Sequence, residues 1–257
     1  MEPIEYHTDD RIAYLTLNRP GKRNALNNPM VGGLQAAFER AAVDAQVKVI
    51  VLKANGAVFC AGADLEYLQQ LQNNSYEENL TDSRQLATLF ETIYTLPKVV
   101  VAQVQGHAIA GGCGLATVCD FSFAVPEAKF GYTEVKIGFV PAIVSYFLCR
   151  KIGEGRAREL LLTGNQFMAA QAQQYGLVNF IAAADGIERQ VQDFAQMLCR
   201  QNSAQAMAQT KKIVSGITSK PLAEAMDYAA ECNAQARATA DCKQGIAAFL
   251  DKKELNW

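Results

Sequence analysis

Histidine is nearly missing from this 257-residue chain, which contains two, and tryptophan occurs once. With His7 and His107 alone to draw on, and no C-x-x-C pair, a zinc site would lack its clustered ligands, so no metal is expected. The seven cysteines, at 60, 113, 119, 149, 199, 232 and 242, are odd in number and sit mostly in apolar or helical patterns. They read as reduced packing residues of a cytoplasmic protein. Charge is also scarce: 19% of residues carry one, the formal net charge is -2, and no run of Lys or Arg exceeds two. That composition argues against a nucleic-acid groove or a polybasic membrane patch, while leaving room for a local basic cluster around a small polyanion. The opening MEPIEYHTDDR has neither a basic start nor an apolar h-region, so neither a signal peptide nor a membrane span is expected. What is abundant is apolar: half of the residues are hydrophobic, enough to bury a substantial core in one large domain or two small ones.

Residues 12–17 alternate as a strand does and are expected to pair with residues 4–6, ending at NRPGKRNALN, where Pro20 and Gly21 enforce a turn. Residues 30–42 have helical periodicity, and 47–54 form a buried strand. The segment NGAVFCAGADLEYLQQLQ then passes through Ala61, Gly62 and Ala63 into a helix starting near Asp64, where an acidic side chain suits the helix N-terminus. Residues 73–79 are polar and read as a mobile loop, followed by an amphipathic helix over 82–96 and a strand over 99–104. Short strands are expected at 120–124, 129–131 and 177–181. Helices are expected at 143–151, 154–162, 169–175, 187–200, 204–214, 222–237 and 242–252. The pattern is α/β, with a β/α portion over residues 1–195 and a helical region over 196–257.

The chain is organised around Gly106 to Pro141, GHAIAGGCGLATVCDFSFAVPEAKFGYTEVKIGFVP. A strand that breaks at Gly106, Gly111, Gly112 and Gly114 and restarts as a helix leaves backbone N–H groups without internal partners, a site for negative charge. Walker-A chemistry is excluded, because Gly112 and Cys113 stand where Lys and Ser/Thr are needed, and the glycines do not spell G-x-G-x-x-G. Tight strand–helix packing would account for two of them. FCAGADL is a second small-residue turn, and two such turns can each aim one N–H at a single oxygen. Glu134 is the one carboxylate between Phe130 and Pro141, with Val135, Ile137, Phe139 and Val140 beside it. Burial there would raise its pKa toward the range a proton-transfer group needs; the alternative is a solvated carboxylate beside Lys136. His107 reads as a second-choice base or a backbone-bonded residue, and Asp120 as a structural acceptor. Cys60 and Cys113 are small packing residues with no base arranged to make a thiolate. Arg19, Lys22 and Arg23 form either a solvated loop or a phosphate clamp, and Lys252 and Lys253 would meet the dipole at the end of the last helix.

Taken together, LNRPGKRNALN, FCAGADL, GHAIAGGCGLATVCDFSFA, FGYTEVKIGFVPA, GRARELLLTG, AQQYGLVN and IAAFLDKK resemble the enoyl-CoA hydratase/isomerase family, the crotonases, over nearly the whole length. The resemblance implies a crotonase-type spiral of ββα units, a C-terminal helical region used in trimerisation, and a coenzyme A thioester as substrate. Coenzyme A then arrives with the substrate and no separate cofactor is expected; the expected partner is a second and third copy of the chain, as a homotrimer or a dimer of trimers. By position, the resemblance gives the oxyanion-hole amides to Ala61 and Gly111 and the catalytic carboxylate to Glu134. Its substrate-binding set is Lys22, Arg23, Ala25, Ala61, Gly62, Ala63, Asp64, Leu65, Gly111, Gly114 and Lys252. Ala63, Asp64 and Leu65 would lie by the adenine, and Lys22 with a C-terminal lysine by the phosphates.

One position departs from the pattern. Gly114 stands where family hydratases carry a first catalytic glutamate, which leaves one carboxylate and, on this reading, extra space. EVKIGFVPAIV with RKIGEGRARELLLTG is similar to a single-glutamate bacterial branch of methylglutaconyl-CoA hydratases. The function expected is hydration of an enoyl-CoA, with a branched, dicarboxylic acyl group such as methylglutaconyl. The alternatives are an enoyl-CoA isomerase in which Glu134 shuttles one proton, and a catalytically silent CoA-ester-binding protein.

Overall fold

The computed structural model describes residues 2–257. Strands β1 (Ile4–Asp9) and β2 (Ile12–Leu17) form an antiparallel hairpin turned at Asp10 and Arg11, both with positive φ. Helix α1 (Asn28–Val43) starts where the Asn27 side chain accepts the Met30 N–H, and it buries Met30, Leu34, Phe38 and Ala41. After it come β3 (Val49–Ala54), β4 (Val58–Cys60), α2 (Leu65–Leu71) and α3 (Tyr76–Thr95). The next stretch holds β5 (Val99–Val104), β6 (His107–Ile109), α4 (Gly111–Val118), β7 (Phe121–Ala124) and β8 (Lys129–Gly131). The chain ends in α5 (Ala142–Ile152), α6 (Glu154–Thr163), β9 (Phe167–Met168), α7 (Ala169–Gln174), β10 (Phe180–Ile181), α8 (Ile187–Gln201), α9 (Ala204–Ile217), α10 (Leu222–Ala238) and α11 (Ala240–Leu250).

Successive strands alternate between two sheets. β3, β5 and β7 enter a large sheet of order β1-β2-β3-β5-β7-β10, while β4, β6 and β8 enter a small one of order β4-β6-β8-β9. Beyond the β1–β2 hairpin the large sheet is parallel, and the small sheet is parallel from β4 to β8. Strand, bend, strand, then helix is one turn of a ββα spiral. β5 is buried at every position, and the first four residues of β3 are buried as well, so both read as continuous apolar runs without alternation.

Several boundaries differ from the sequence reading. β4, β6 and β9 were not expected; at two or three residues each they are too short to show a period. Residues 73–79 are not a loop throughout, because α3 begins at Tyr76. Ser75 accepts the Glu78 N–H while the Glu78 carboxylate accepts the Ser75 N–H, a capping box that turns the polar stretch into a solvated first turn. Residue 195 falls inside α8, which runs unbroken to Gln201 and packs on β2, β3, β5 and β7.

The last helices are bolted to the spiral by Lys211. Its ammonium donates to Asp120 Oδ2 at 2.7 Å and to the carbonyls of Ile93 and Lys98 at 3.0 Å each. Asp120 also accepts the Val100 N–H at 2.8 Å, the structural role expected for it. α11 ends at Leu250, ahead of Lys252. That residue takes a positive φ (56°) while the Lys253 N–H closes on the Ala248 carbonyl at 2.9 Å, a Schellman-type end. Leu222, Met226, Ile246, Phe249 and Leu250 leave large apolar side chains exposed on α10 and α11. No helix among the described residues is long and apolar enough to cross a membrane.

Candidate active site

Three turns meet at the site. The first, Arg19 to Leu26, is held by the buried Asn24, whose side chain accepts the Arg19 N–H and donates to the carbonyls of Asn55 and Val58. This turn runs alongside the second, Ala61 to Asp64. The Ala61 N–H donates to the Arg23 carbonyl at 3.0 Å, Leu26 N–H to Gly62 at 2.7 Å, and Asp64 N–H to Leu26 at 2.8 Å. Ala63 sits in that ladder with its own N–H left over, and no acceptor among the described residues reaches it. The third turn, Ile109 to Gly111, presses on the second. A methyl on Gly62 would lie 2.7 Å from the Ala110 Cβ and 3.4 Å from the Gly111 nitrogen. Gly111 opens α4, where N–H groups have no intrahelical partner, and its amide also lacks an acceptor among the described residues.

Sheet register ties the turn that opens α4 to the strand ahead of Glu134. Ile109 of β6 pairs with Gly131 of β8, the Ala110 N–H donates to the Gly131 carbonyl at 2.7 Å, and three residues on the chain enters a 3-10 turn over Glu134–Ile137. Glu134 is 8% exposed, and its buried Oε2 has no hydrogen-bond partner. Burial pushes the carboxyl above its ordinary pKa, opposed by a weaker hydrogen bond from its own N–H. Beneath it lies the fully buried Tyr132, whose hydroxyl shares a 2.6 Å hydrogen bond with Thr117. Cys113 and Cys60 are buried, and burial pushes both thiols up to about 12, so neither is a nucleophile. His107 accepts the Lys129 N–H through Nδ1 at 3.2 Å, on the exposed side of β6. At the far end of α4, Lys151 donates to the carbonyls of Thr117 and Cys119, both at 2.8 Å, so the helix carries a cation at its C-terminus and free amides at its N-terminus.

Comparison with known proteins gives the same site a lineage. The family profile described as Enoyl-CoA hydratase/isomerase matches residues 7–257. The chain belongs to the enoyl-CoA hydratase/isomerase family. It is 33% identical to a 2,3-dehydroadipyl-CoA hydratase of Escherichia coli, over 98% of this chain and 97% of that one. It is 30% identical to a crotonyl-CoA hydratase of Syntrophomonas wolfei, over 100% of this chain and 98% of that one. The solved structure of an enoyl-CoA hydratase from Shewanella pealeana superposes with a TM-score of 0.93, at 30% identity, over 99% of this chain and 96% of that one. The chain is an enzyme of this kind, and its fold is the crotonase spiral.

Within this crotonase fold two sequence assignments need correction. Ala61 cannot supply an oxyanion-hole amide, because its N–H is spent on Arg23; the free amide in that turn is Ala63. Gly114 does not leave extra space either, and it offers no surface to a substrate. A Cβ there would stand 2.4 Å from Val144 Cγ1 and 2.9 Å from Phe90 Cε1, and both of those side chains are buried. The volume a glutamate would need is filled from α5 and α3. Neither neighbour is legible near Gly114 in sequence.

The residues expected to meet coenzyme A are only partly assembled. Asp64 is buried and caps α2; burial raises its pKa, but the Arg19 guanidinium 2.8 Å away and the amides of Glu66 and Tyr67 more than offset that and hold the carboxyl low. Arg19, read in sequence as part of a solvated loop or a phosphate clamp, is instead paired with this buried carboxylate. Leu65 is exposed beside it, Ala25 is buried, and Arg23 is exposed with φ 52°. Lys22 is paired with Glu66 at 2.6 Å. Lys252 makes no described hydrogen bond or ion pair to Lys22, Arg23 or the Ala61–Leu65 turn within the chain. A cleft of about 320 Å³ lies between α2 and α3, lined by Asn28, Tyr67, Asn74, Glu77, Glu78 and Asp82 among others.

Two outcomes check this geometry. Gly114→Ala is expected to lower stability by about 1–3 kcal/mol through overpacking, read as a fall in Tm; an unchanged Tm would show the wall to be loose. Glu134 has its folded pKa above its unfolded one, so its contribution favours the fold below the ordinary carboxylate range and is lost as pH rises through the folded value. Glu134→Gln should therefore melt higher than the parent at pH 8, with the gap closing near pH 4. A gap that does not change with pH would mean the carboxylate is solvated.

Proposed function

We propose that the chain reversibly hydrates an α,β-unsaturated acyl-CoA thioester. The observation that carries the reading is the unpartnered, buried Oε2 of Glu134 in the turn after β8, together with the acceptor-less amides of Ala63 and Gly111 in the turns after β4 and β6 of the same sheet. The thioester oxygen sits between those two N–H groups, which stabilise the enolate as charge develops; one such donor is typically worth about 2.7–4 kcal/mol of barrier. Water adds through oxygen to the β-carbon, gives its proton to Glu134, and Glu134 returns a proton to the α-carbon. Lys22, Arg23 and, from a neighbouring copy, Lys252 receive the phosphates of coenzyme A, with Leu65 against the adenine.

For the acyl group we take a branched dicarboxylic chain of methylglutaconyl type. The run EVKIGFVPAIV supports it, as does the Escherichia coli relative, whose named substrate is also dicarboxylic. The acids lining the α2–α3 cleft bear on where the far carboxylate goes: it would be repelled by Glu77, Glu78 and Asp82 and must lie elsewhere. A second reading, isomerisation, is favoured by one observation, the apolar filling at Gly114, because moving a double bond needs one carboxylate and no water.

The test is a panel of crotonyl-, methylglutaconyl- and 3-enoyl-CoA esters in water labelled with heavy oxygen. Label in the product supports hydration; a shifted double bond without label supports isomerisation, and binding without turnover of any ester leaves a CoA-ester-binding protein. Glu134→Gln should remove nearly all turnover with CoA-ester binding retained; near-normal turnover would sink the role of Glu134. A higher kcat/KM for crotonyl-CoA would overturn the dicarboxylic assignment and point to the acidic cleft as the acyl end.

The assembly is taken as a trimer or a dimer of trimers, supported by the apolar side chains that α10 and α11 leave exposed, Phe249 at 83% and Leu222 at 77%. Sedimentation should give three or six times the 28.0 kDa chain mass. A monomer at micromolar concentration would refute it.

A further inference from the structure

Ala110 is bent into a conformation that the sequence around it would have filled more cheaply with glycine. Its φ of 51° and ψ of -124° belong to the first central position of a type II′ turn, where glycine is the usual occupant. Glycines stand at 106, 111, 112 and 114 on either side, yet this position carries a methyl group. Three contacts hold it. The Ala110 N–H is fixed to the Gly131 carbonyl at 2.7 Å, its carbonyl takes the Gly114 N–H at 3.0 Å, and its methyl abuts Gly62, where an added Cβ would come within 2.7 Å.

The torsion ψ of Ala110 sets the plane of the peptide that carries the Gly111 N–H. With glycine at 110, that plane would be bounded by the two hydrogen bonds alone. With alanine, turning ψ brings the Ala110 carbonyl oxygen or the Gly111 nitrogen against the methyl, and the compensating turn of φ is blocked because it drives the methyl into Gly62. We infer that Ala110 is a positioning residue: its strained backbone and its methyl, lodged against Gly62, lock the Ala110–Gly111 peptide so that the Gly111 and Ala63 amides converge on one oxygen. The inference rests on the oxyanion-hole reading above and adds to it a residue whose own polar groups never meet the substrate. It also accounts for the need for glycine at 62, since any Cβ there would displace the group that sets the neighbouring amide.

Ala110→Gly and Ala110→Ser separate this role from packing. Glycine relieves the backbone, so its Tm should be unchanged or higher by about 2–4 °C. Loss of the lock should lower kcat by about 10- to 100-fold while KM moves little. Serine keeps the Cβ and should retain most of the parental kcat. A purely structural alanine would give the reverse pattern, a lower Tm with kcat preserved in the glycine variant. Glycine-variant kcat within twofold of the parent, or a serine variant as slow as the glycine one, overturns the inference. Parent protein that turns over no ester of the panel defeats the functional reading itself, so the two failures are told apart by measuring parent and variants together.

Discussion

The rest of the site depends on how closely the Ala61–Asp64 turn approaches the Ile109–Gly111 turn. Contact at this distance is possible because Gly62 has no Cβ, and a similar economy holds one residue past Gly111, where a Cβ on Gly112 would stand 2.2 Å from the Cys60 carbonyl. The small sheet supplies the reason for the approach. β4 and β6 are parallel neighbours, so the turns that leave them emerge side by side, and each ends in a helix start or an exposed ladder edge with an amide to spare. On the proposed function, two donors on one oxygen would follow from neighbouring strands leaving the sheet side by side. β8, the next strand of the same sheet, then delivers Glu134 from the adjoining position.

The electrostatics of the site point one way. Amides at the N-terminus of α4 offer partial positive charge to an oxygen, and Lys151 at the other end places a full cation on the carbonyls of Thr117 and Cys119. The carboxyl of Glu134, by contrast, is buried without a partner, and burial makes it hold a proton more tightly than an exposed carboxyl does. Negative charge is therefore welcomed on a substrate oxygen and resisted on the protein carboxylate. That combination lowers the difference in proton affinity between an acidic C–H and the group that takes the proton, which is what enolate chemistry requires. Arg19 and Asp64 hold the neighbouring turn without altering this balance, since their charges are spent on each other.

Much of this was legible in sequence. The glycines at 111 and 112, the carboxylate at 134 and the acidic helix start at Asp64 all carry local signals: Gly111 opens α4, Glu134 is buried in its 3-10 turn, and Asp64 caps α2. The failures share a cause. Along an extended ladder the amides of residues two apart face the same way, so nothing in the sequence separates Ala61 from Ala63; Gly62, at φ 87°, breaks that alternation and leaves one bonded to Arg23 and the other free. Which of the two is spent is decided by the first turn, some forty residues earlier in the chain. Gly114 failed for the same reason. Missing side-chain volume in a sequence reads as space, but Phe90 and Val144, from helices on either side, occupy it. The capping box at Ser75 is a different case: its signal was local, and the polar composition around it masked the helix start.

The apolar filling at Gly114 constrains the chemistry beyond the count of carboxylates. In hydration, oxygen and proton must reach adjacent carbons of a planar double bond, and each comes from whichever face a protein group can serve. With Phe90 and Val144 closing the α4 side, no protein carboxylate can hold a water there. On the proposed hydration, Glu134 would both steady the water and return the proton, so both additions would take place on the face that Glu134 occupies and the elements of water would enter syn. Isomerisation by the same residue obeys the same rule, with the proton leaving and returning on one face. What separates the two reactions is thus whether a water molecule or a γ-hydrogen of the acyl chain comes within reach of Oε2. On either reading the protein would fix the face, and the acyl chain, through the room it leaves beside Glu134, would fix the reaction.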